Sequence, residues 1–307
     1  MKKKIGTTVR AEGKINLYLD VLSRTADGYH TIESVMQSVS LCDRVTVSAM
    51  RGDGDIRIGC NLPYIPCDGR NIAYKAARAL LCEAGIDAAV RIFLDKRIPV
   101  AGGMAGGSAD AAAVLAATNR VLGSPLQPER LLEIGRTLGA DVPFCMAGGT
   151  ALCTGVGDET APLVNRLALP LLIVPSRESV STPWAYAELD RAYGGFAAPR
   201  TRDARLDRLT AALADGDAAG VCRNLYNIFE DVILPHRPQA ARAKQLLTEG
   251  GALAAMMSGS GPTVFGIFAD VPTRDAAARL LTRHGYRPKN AEFARGKSKK
   301  ELIFPAQ

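Results

Sequence analysis

Aromatic residues make up only 6% of this chain, with a single tryptophan, and histidine occurs three times in 307 residues. Nucleic-acid surfaces that stack bases interleave rings with basic stripes, so scarce rings and dispersed positive charge argue against such a partner. No uninterrupted apolar run approaches the roughly 18 residues of a membrane span. The basic start Met1-Lys2-Lys3-Lys4 is not followed by an apolar h-region. A cytoplasmic protein without a membrane partner is therefore expected. Cysteine numbers seven, an odd count with no C-x-x-C pair, and His30, His236 and His284 complete no zinc pattern. Reduced, mostly buried thiols are expected, and no residue is assigned to a metal. The apolar share of 47%, the charged share of 22% and a net charge of +7 suit a folded enzyme, the mild cationic excess being compatible with polyphosphate ligands. The length makes two domains a fair expectation.

What the chain does have is glycine, and its densest stretch organises the rest. Pro99, Val100, Ala101, Gly102, Gly103, Met104, Ala105, Gly106, Gly107, Ser108 and Ala109 run into Asp110 and then into strong helix formers. Four glycines within six positions remove the Cβ atoms that hold backbone away from a ligand. Ser108 and Asp110 open the predicted helix, Ala111, Leu115 and Leu122 share one face, and Gly123 stops it. Free N–H groups at a helix start make an anion site, with phosphate the usual occupant. A flexible Gly/Ala connector is the alternative, though linkers rarely run unbroken into a well-formed helix start. No Gly-Lys-Ser/Thr follows, and the spacing misses G-x-G-x-x-G, so both commonest nucleotide loops are excluded.

Elsewhere the pattern predicts an α/β protein without internal repeats. Residues 5–22 read as a strand pair, with Lys14 on the same face as Asn16. A lysine at a strand start is most simply a solvated charge. Residues 26–30 form a turn, 31–41 and 44–49 strands, and 52–59 a hairpin turn with its return strand. A helix over 71–84 turns Ala73, Ala76, Ala77 and Leu80 inward and ends at Gly85. A strand over 90–94 delivers residues 95–97 to the glycine loop. Residues 128–138 are helical to Gly139. Asp141 then stands beside a proline-fixed turn among apolar residues, either as a functional carboxylate or as a cap. Residues 148–157 are a strand and glycine turn, and 167–174 a strand. A helix starts at Ser181-Thr182-Pro183. Residues 191–218 look locally helical, and 224–229, 239–247 and 273–284 are helical. Residues 251–268 form a strand–turn–strand unit around Ser258-Gly259-Ser260-Gly261-Pro262. Residues 295–300 read as a solvated basic end.

Three separated blocks carry a resemblance. Lys14-Ile15-Asn16, the glycine loop over 99–113, and Ser258-Gly259-Ser260-Gly261 resemble the three motifs of the galactokinase, homoserine, mevalonate and phosphomevalonate (GHMP) kinases. Ala11-Glu12-Gly13-Lys14-Ile15-Asn16-Leu17, Ala26-Asp27-Gly28-Tyr29-His30 and Gly139-Ala140-Asp141-Val142-Pro143-Phe144 extend it, so that it spans roughly residues 9–268. The resemblance implies a GHMP fold. Residues 1–160 would be an N-terminal domain like ribosomal protein S5 domain 2, residues 161–307 a C-terminal α/β domain, and the active site would lie between them. It implies transfer of the ATP γ-phosphate, as Mg-ATP, to the 2-hydroxyl of a cytidine diphosphate-linked methylerythritol in non-mevalonate isoprenoid synthesis. An acceptor of the homoserine or mevalonate type is the alternative. A silent nucleotide-binding or nucleic-acid-binding relative is a further rival, disfavoured because both Lys14 and Asp141 are present.

Residue by residue, the resemblance assigns Asp141 as catalytic base, Lys14 as catalytic lysine, and residues 99–109 as the ATP loop. Met104 stands where leucine is more usual, a volume-conserving change. Tyr29 and His30 match the turn that holds cytosine, by stacking and by hydrogen bonds. Asn16, Lys96 and Thr182 match polar groups around the cytidine and diphosphate. Tyr186 falls where a second stacking aromatic belongs, although Trp184-Ala185-Tyr186 departs from the family's pattern. Ser108 is placed to help with the phosphates or Mg²⁺. The implied partner is a small molecule, and the chain is expected as a monomer or homodimer.

Overall fold

A computed structural model describes residues 5–52, 54–196 and 198–296, with Ile5 described by its backbone alone. The basic start and residues 297–300 of the basic end lie outside the described residues. Two long strands form the spine. β1 (Ile5–Arg24) and β2 (His30–Arg51) pair antiparallel through almost their whole length. The expected strand pair within 5–22 is thus one strand, and 31–41 and 44–49 are likewise one. Register shifts at Glu12/Lys14 and Asn16/Tyr18 break the ladder in β1, and such bulges re-aim side chains. From Gly13 to Val21 every residue of β1 is buried, because both faces are covered.

Beside β2 lie β3 (Ile56–Cys60) and β4 (Ala88–Asp95). β3 does not return against β2 as a hairpin; it runs parallel to β4 instead. β5 (Thr150–Thr154) pairs with the first half of β2, and β6 (Glu159–Pro162) pairs with β5. The cover consists of α1 (Ile72–Ala84), α2 (Gly106–Val121), α3 (Pro128–Leu138) and α4 (Asp141–Ala147). α1 has the expected ends, an Asn71 side-chain cap and Gly85 in the left-handed region. α2 carries alanine on nearly all sides, which lets it pack closely against α1, β1 and β2. It begins at Gly106, two residues before the expected start.

A second sheet has the order β11-β7-β10-β9, from β7 (Pro170–Val174), β9 (Ala254–Met257), β10 (Val264–Ile267) and β11 (Lys289–Glu292). The last of these was not foreseen. Around it come α5 (Thr182–Ala192), α6 (Ala204–Asp215), α7 (Ala218–Arg223), α8 (Glu230–Ile233), α9 (Pro238–Glu249) and α10 (Val271–Arg283). Within the expected helix 224–229 lies β8 (Tyr226–Asn227), which pairs parallel with β1 at Tyr18 and Leu19. Packing of Tyr226 against Tyr18, with ring centroids 5.6 Å apart, overrides the local helical preference.

All seven cysteines are free, but only Cys145 and Cys153 are buried, so the expectation of mostly buried thiols is corrected. Among the described residues no helix is long and apolar enough to cross a membrane.

Candidate active site

The glycine loop meets α2 without a side-chain cap. Ala105 occupies the cap position in a left-handed conformation and makes no capping bond, unlike Asn71, Ser181, Asp203, Asp217 and Asp270 on other helices. The first amides of this 16-residue helix are thereby left for a ligand. Ala101 and Ala105 hold φ of 52° and 54°, a strain of about 1–2 kcal/mol each, the kind of conformation that concentrates at ligand clamps.

Two supports hold the loop. Backbone N–H of Lys14 donates to Met104 O at 3.1 Å, and Ser258 Oγ donates to Gly103 O at 2.9 Å. Gly103 sits so close to the residue 258–261 turn that a Cβ would lie 2.1 Å from Ser258 O. That turn is itself held by Asn227, whose amide donates to Met257 O and Gly259 O at 2.8 and 2.9 Å.

Beneath the loop lies a buried charge cluster. Lys96 donates to Asp43 Oδ2, to Asp110 Oδ2 at 2.6 Å and to Gly106 O at 3.2 Å, which uses all three ammonium hydrogens. Asp43 Oδ1 accepts from the backbone amides of Arg97 and Ile98, pinning the chain that enters the loop. Burial pushes Asp110 up to about 7, against the pull of Lys96 and with the help of the Asp43 charge. Burial disfavours the Lys96 ammonium, yet the two carboxylates outweigh it and hold Lys96 above its ordinary value. Direct contact of Lys96 with a substrate would require releasing one of its three acceptors.

Above the loop a cavity of about 1020 Å³ opens between the two sheets. Lys14, Asn16, Tyr29, His30, Lys96, residues 99–108, Asp141, Thr182 and Tyr186 all line it. Ala109 is instead buried in α2. Lys14 is 5% exposed, not solvated, and its Nζ donates to Asn16 Oδ1 at 2.8 Å. Asn16 in turn donates to Ser34 Oγ at 2.8 Å. Asp141 is the first residue of α4 rather than part of a turn, where the helix dipole favours a carboxylate. No ion pair joins Lys14 to Asp141 among the described residues, but both charges act on one thiol. Burial pushes Cys153 up to about 12, with the Asp141 charge adding and Lys14 opposing. Tyr186 is also pushed up to about 12, by burial and then by Asp141.

At the other end of the cavity the rings gather. His30 stacks on Tyr186 with centroids 4.7 Å apart and planes at 24°, while Tyr29 is 64% exposed. Thr182 Oγ1 lies 3.3 Å from Ser260 Oγ. The sequence reading missed Asp43, Asn227 and Asp190. Asp190 left a signal, for it falls four residues after Tyr186 and so shares its helix face.

Comparison with known proteins identifies the class that this fold and cavity define. The GHMP kinases N terminal domain matches residues 71–149, and the GHMP kinases C terminal domain matches residues 209–287. The chain belongs to the GHMP kinase family, and is a small-molecule kinase with ATP as its phosphate donor. A 4-diphosphocytidyl-2-C-methyl-D-erythritol kinase from Synechococcus sp. is 41% identical over 280 residues, 90% of each chain. A protein of the same name from Alkaliphilus metalliredigens is 41% identical over 274 residues, 89% of this chain and 92% of the other. The crystal structure of a 4-(cytidine 5'-diphospho)-2C-methyl-D-erythritol kinase superposes with a TM-score of 0.78 at 31% identity, covering 95% of this chain and all of that one. Within the family, the chain belongs with the 4-diphosphocytidyl-2-C-methyl-D-erythritol kinases. A homoserine kinase from Cytophaga hutchinsonii, with a TM-score of 0.73 at 19% identity over 97% of each chain, shares the fold alone.

Proposed function

We propose that this kinase transfers the ATP γ-phosphate to the 2-hydroxyl of 4-diphosphocytidyl-2-C-methyl-D-erythritol, in isoprenoid-precursor synthesis. The supporting observation is the convergence on one cavity of an uncapped helix start, the Asp141 carboxylate, the Lys14 ammonium and a pair of stacked rings. Asp141 takes the proton of the substrate hydroxyl, the oxygen attacks the γ-phosphorus, and the bond to the β-phosphate oxygen breaks to release ADP. Lys14, held by Asn16, orients the hydroxyl and offsets the charge that develops. Residues 99–108 hold the phosphates through backbone amides, and Ala109 carries α2 behind them. The bare amides at α2, together with Ser108, fit a magnesium-bound triphosphate, and Mg²⁺ would neutralise charge on its phosphates. Tyr29, His30 and Tyr186 receive the cytosine, and Thr182 stands by the diphosphate. Lys96 belongs under the ATP loop, since its hydrogens are already used. The proposed domain boundary near residue 160 falls at β6, the last strand of the first sheet before β7 opens the second, and β8 returns to the first.

The test is a coupled ADP-release assay comparing the cytidyl substrate with mevalonate and homoserine. Turnover with the cytidyl substrate alone is expected. Faster turnover with mevalonate or homoserine would overturn the assignment.

A further inference from the structure

The ring at the base end of the cavity is held more tightly than stacking requires. His30 Nε2 lies 2.7 Å from Asp190 Oδ1. A carboxylate only accepts, so the hydrogen of this bond sits on Nε2. Neutral imidazole has one N–H, which leaves Nδ1 as a bare acceptor. Asp190 is itself anchored, since Arg24 reaches its other oxygen at 3.4 Å. The ring is fixed in plane and tilt by Tyr186 on its face and by Phe196 edge-on at 5.6 Å. Its side chain is 7% exposed, and Nδ1 has no hydrogen-bond partner among the described residues. Any ligand group that meets Nδ1 in this half-dry place must bring a hydrogen, or an acceptor faces an acceptor.

Cytosine and uracil differ in that respect. Cytosine carries an exocyclic amino group, a donor, where uracil carries a carbonyl oxygen. We propose that Asp190 is a positioning residue that locks His30 in its Nε2–H form, so that His30 Nδ1 accepts from the cytosine amino group and rejects uracil. This rests on the placement of the cytidyl group at the His30 end of the cavity, as given under Proposed function. Asp190 does not touch the base; it acts through the histidine. Without the carboxylate both neutral forms of the ring become accessible, and the form with hydrogen on Nδ1 suits the uracil carbonyl.

Two measurements test this on the full chain. The first is the histidine ¹⁵N spectrum of the wild type and of Asp190→Ala in mildly alkaline buffer, where only three histidines need resolving. The wild-type His30 is expected as the Nε2–H form, and the variant as a mixture. The second is kcat/KM for the cytidyl substrate against the same alcohol linked to uridine diphosphate. In Asp190→Ala the cytidyl-over-uridyl preference is expected to fall about tenfold or more, through KM, with the KM for ATP unchanged. A merely structural role for Asp190 would weaken both substrates equally and leave the preference intact. A wild-type His30 carrying its hydrogen on Nδ1, or an unaltered preference in the variant, would overturn the proposal. Wild-type enzyme inactive on both nucleotide-linked alcohols but active on mevalonate or homoserine would overturn the functional reading, and base selection with it. The spectrum needs no substrate and separates that outcome from a failure of the Asp190 contact.

Discussion

Asp141 and Lys14 show how differently a residue reads in a sequence and in a cleft. Pattern alone left Lys14 as a solvated charge and Asp141 as a possible cap, and the resemblance raised both. Burial of Lys14 to 5% exposure and its bond to Asn16 remove the solvated alternative. Asp141→Asn keeps the shape of the side chain and removes the proposed base. Its kcat is expected to fall by about 10²–10⁴-fold with the KM for ATP unchanged, measured by ADP release. Near-normal turnover would remove Asp141 from the proton-transfer step. Truncation of His30 to alanine removes the proposed cytosine contact, at the end of the cavity away from the glycine loop. A raised KM for the cytidyl substrate and an unchanged KM for ATP are expected, and equal effects on both would detach this histidine from cytosine. Asp43 could not be found this way. A carboxylate in a long strand has nothing local to show that it will meet Lys96, 53 residues later.

Among the elements, α2 depends most on what surrounds it. Its glycine loop was legible because glycine is needed where no Cβ fits, and two glycines separate that need from ordinary turn chemistry. At Gly103, φ is +75° and a Cβ would press on Ser258 O at 2.1 Å. At Gly85, φ is +60° and nothing stands within 4 Å. Gly85→Ala should therefore cost about 1 kcal/mol of stability and leave the KM for ATP alone, whereas Gly103→Ala should displace the loop and raise that KM. Asp110, in the first turns of the same helix, gives a pH signature. Its ordinary value is 3.8, and burial pushes it up to about 7 in the folded chain. The folded state thus holds more protons between about pH 4 and 7, and this group's contribution to stability declines as pH rises through that window. Denaturant titrations across that range should show stability falling more steeply, or rising less, with pH in the wild type than in Asp110→Asn. An unaltered slope would place the proton elsewhere. The exact start of α2 was not legible, because its cap is a left-handed alanine rather than a polar side chain.

At the scale of the whole molecule, the two sheets are joined by contacts that no local pattern announces. The helices α1, α3, α5 and α10 carry their own start or stop signals and were legible. The two-residue strand β8 was not, since residues 224–229 have helical character and only the edge of β1 makes them a strand. That strand delivers Asn227 to the turn that braces the glycine loop. Asn227 is 2% exposed, its amide hydrogens go to Met257 O and Gly259 O, and its Oδ1 accepts from the Phe229 amide at 3.0 Å. Asn227→Ala leaves those buried carbonyls and one amide without their side-chain partner, a loss of about 1–3 kcal/mol per stranded group at most. The turn then loses its fixed distance from Gly103, to which Ser258 Oγ ties it. Loosening should reach the glycine-loop end of the cavity before the His30 end, because His30, Tyr186 and Asp190 hold one another, and α5 meets this turn at Thr182 Oγ1 and Ser260 Oγ, 3.3 Å apart. A folded Asn227→Ala enzyme should therefore show a KM for ATP raised about tenfold, equivalent to about 1.4 kcal/mol, with the KM for the cytidyl substrate nearly unchanged. The opposite pattern, a weakened cytidyl substrate and normal ATP, would mean that the turn serves the acceptor and that the glycine loop keeps its place through Lys14 N–H to Met104 O and Lys96 to Gly106 O.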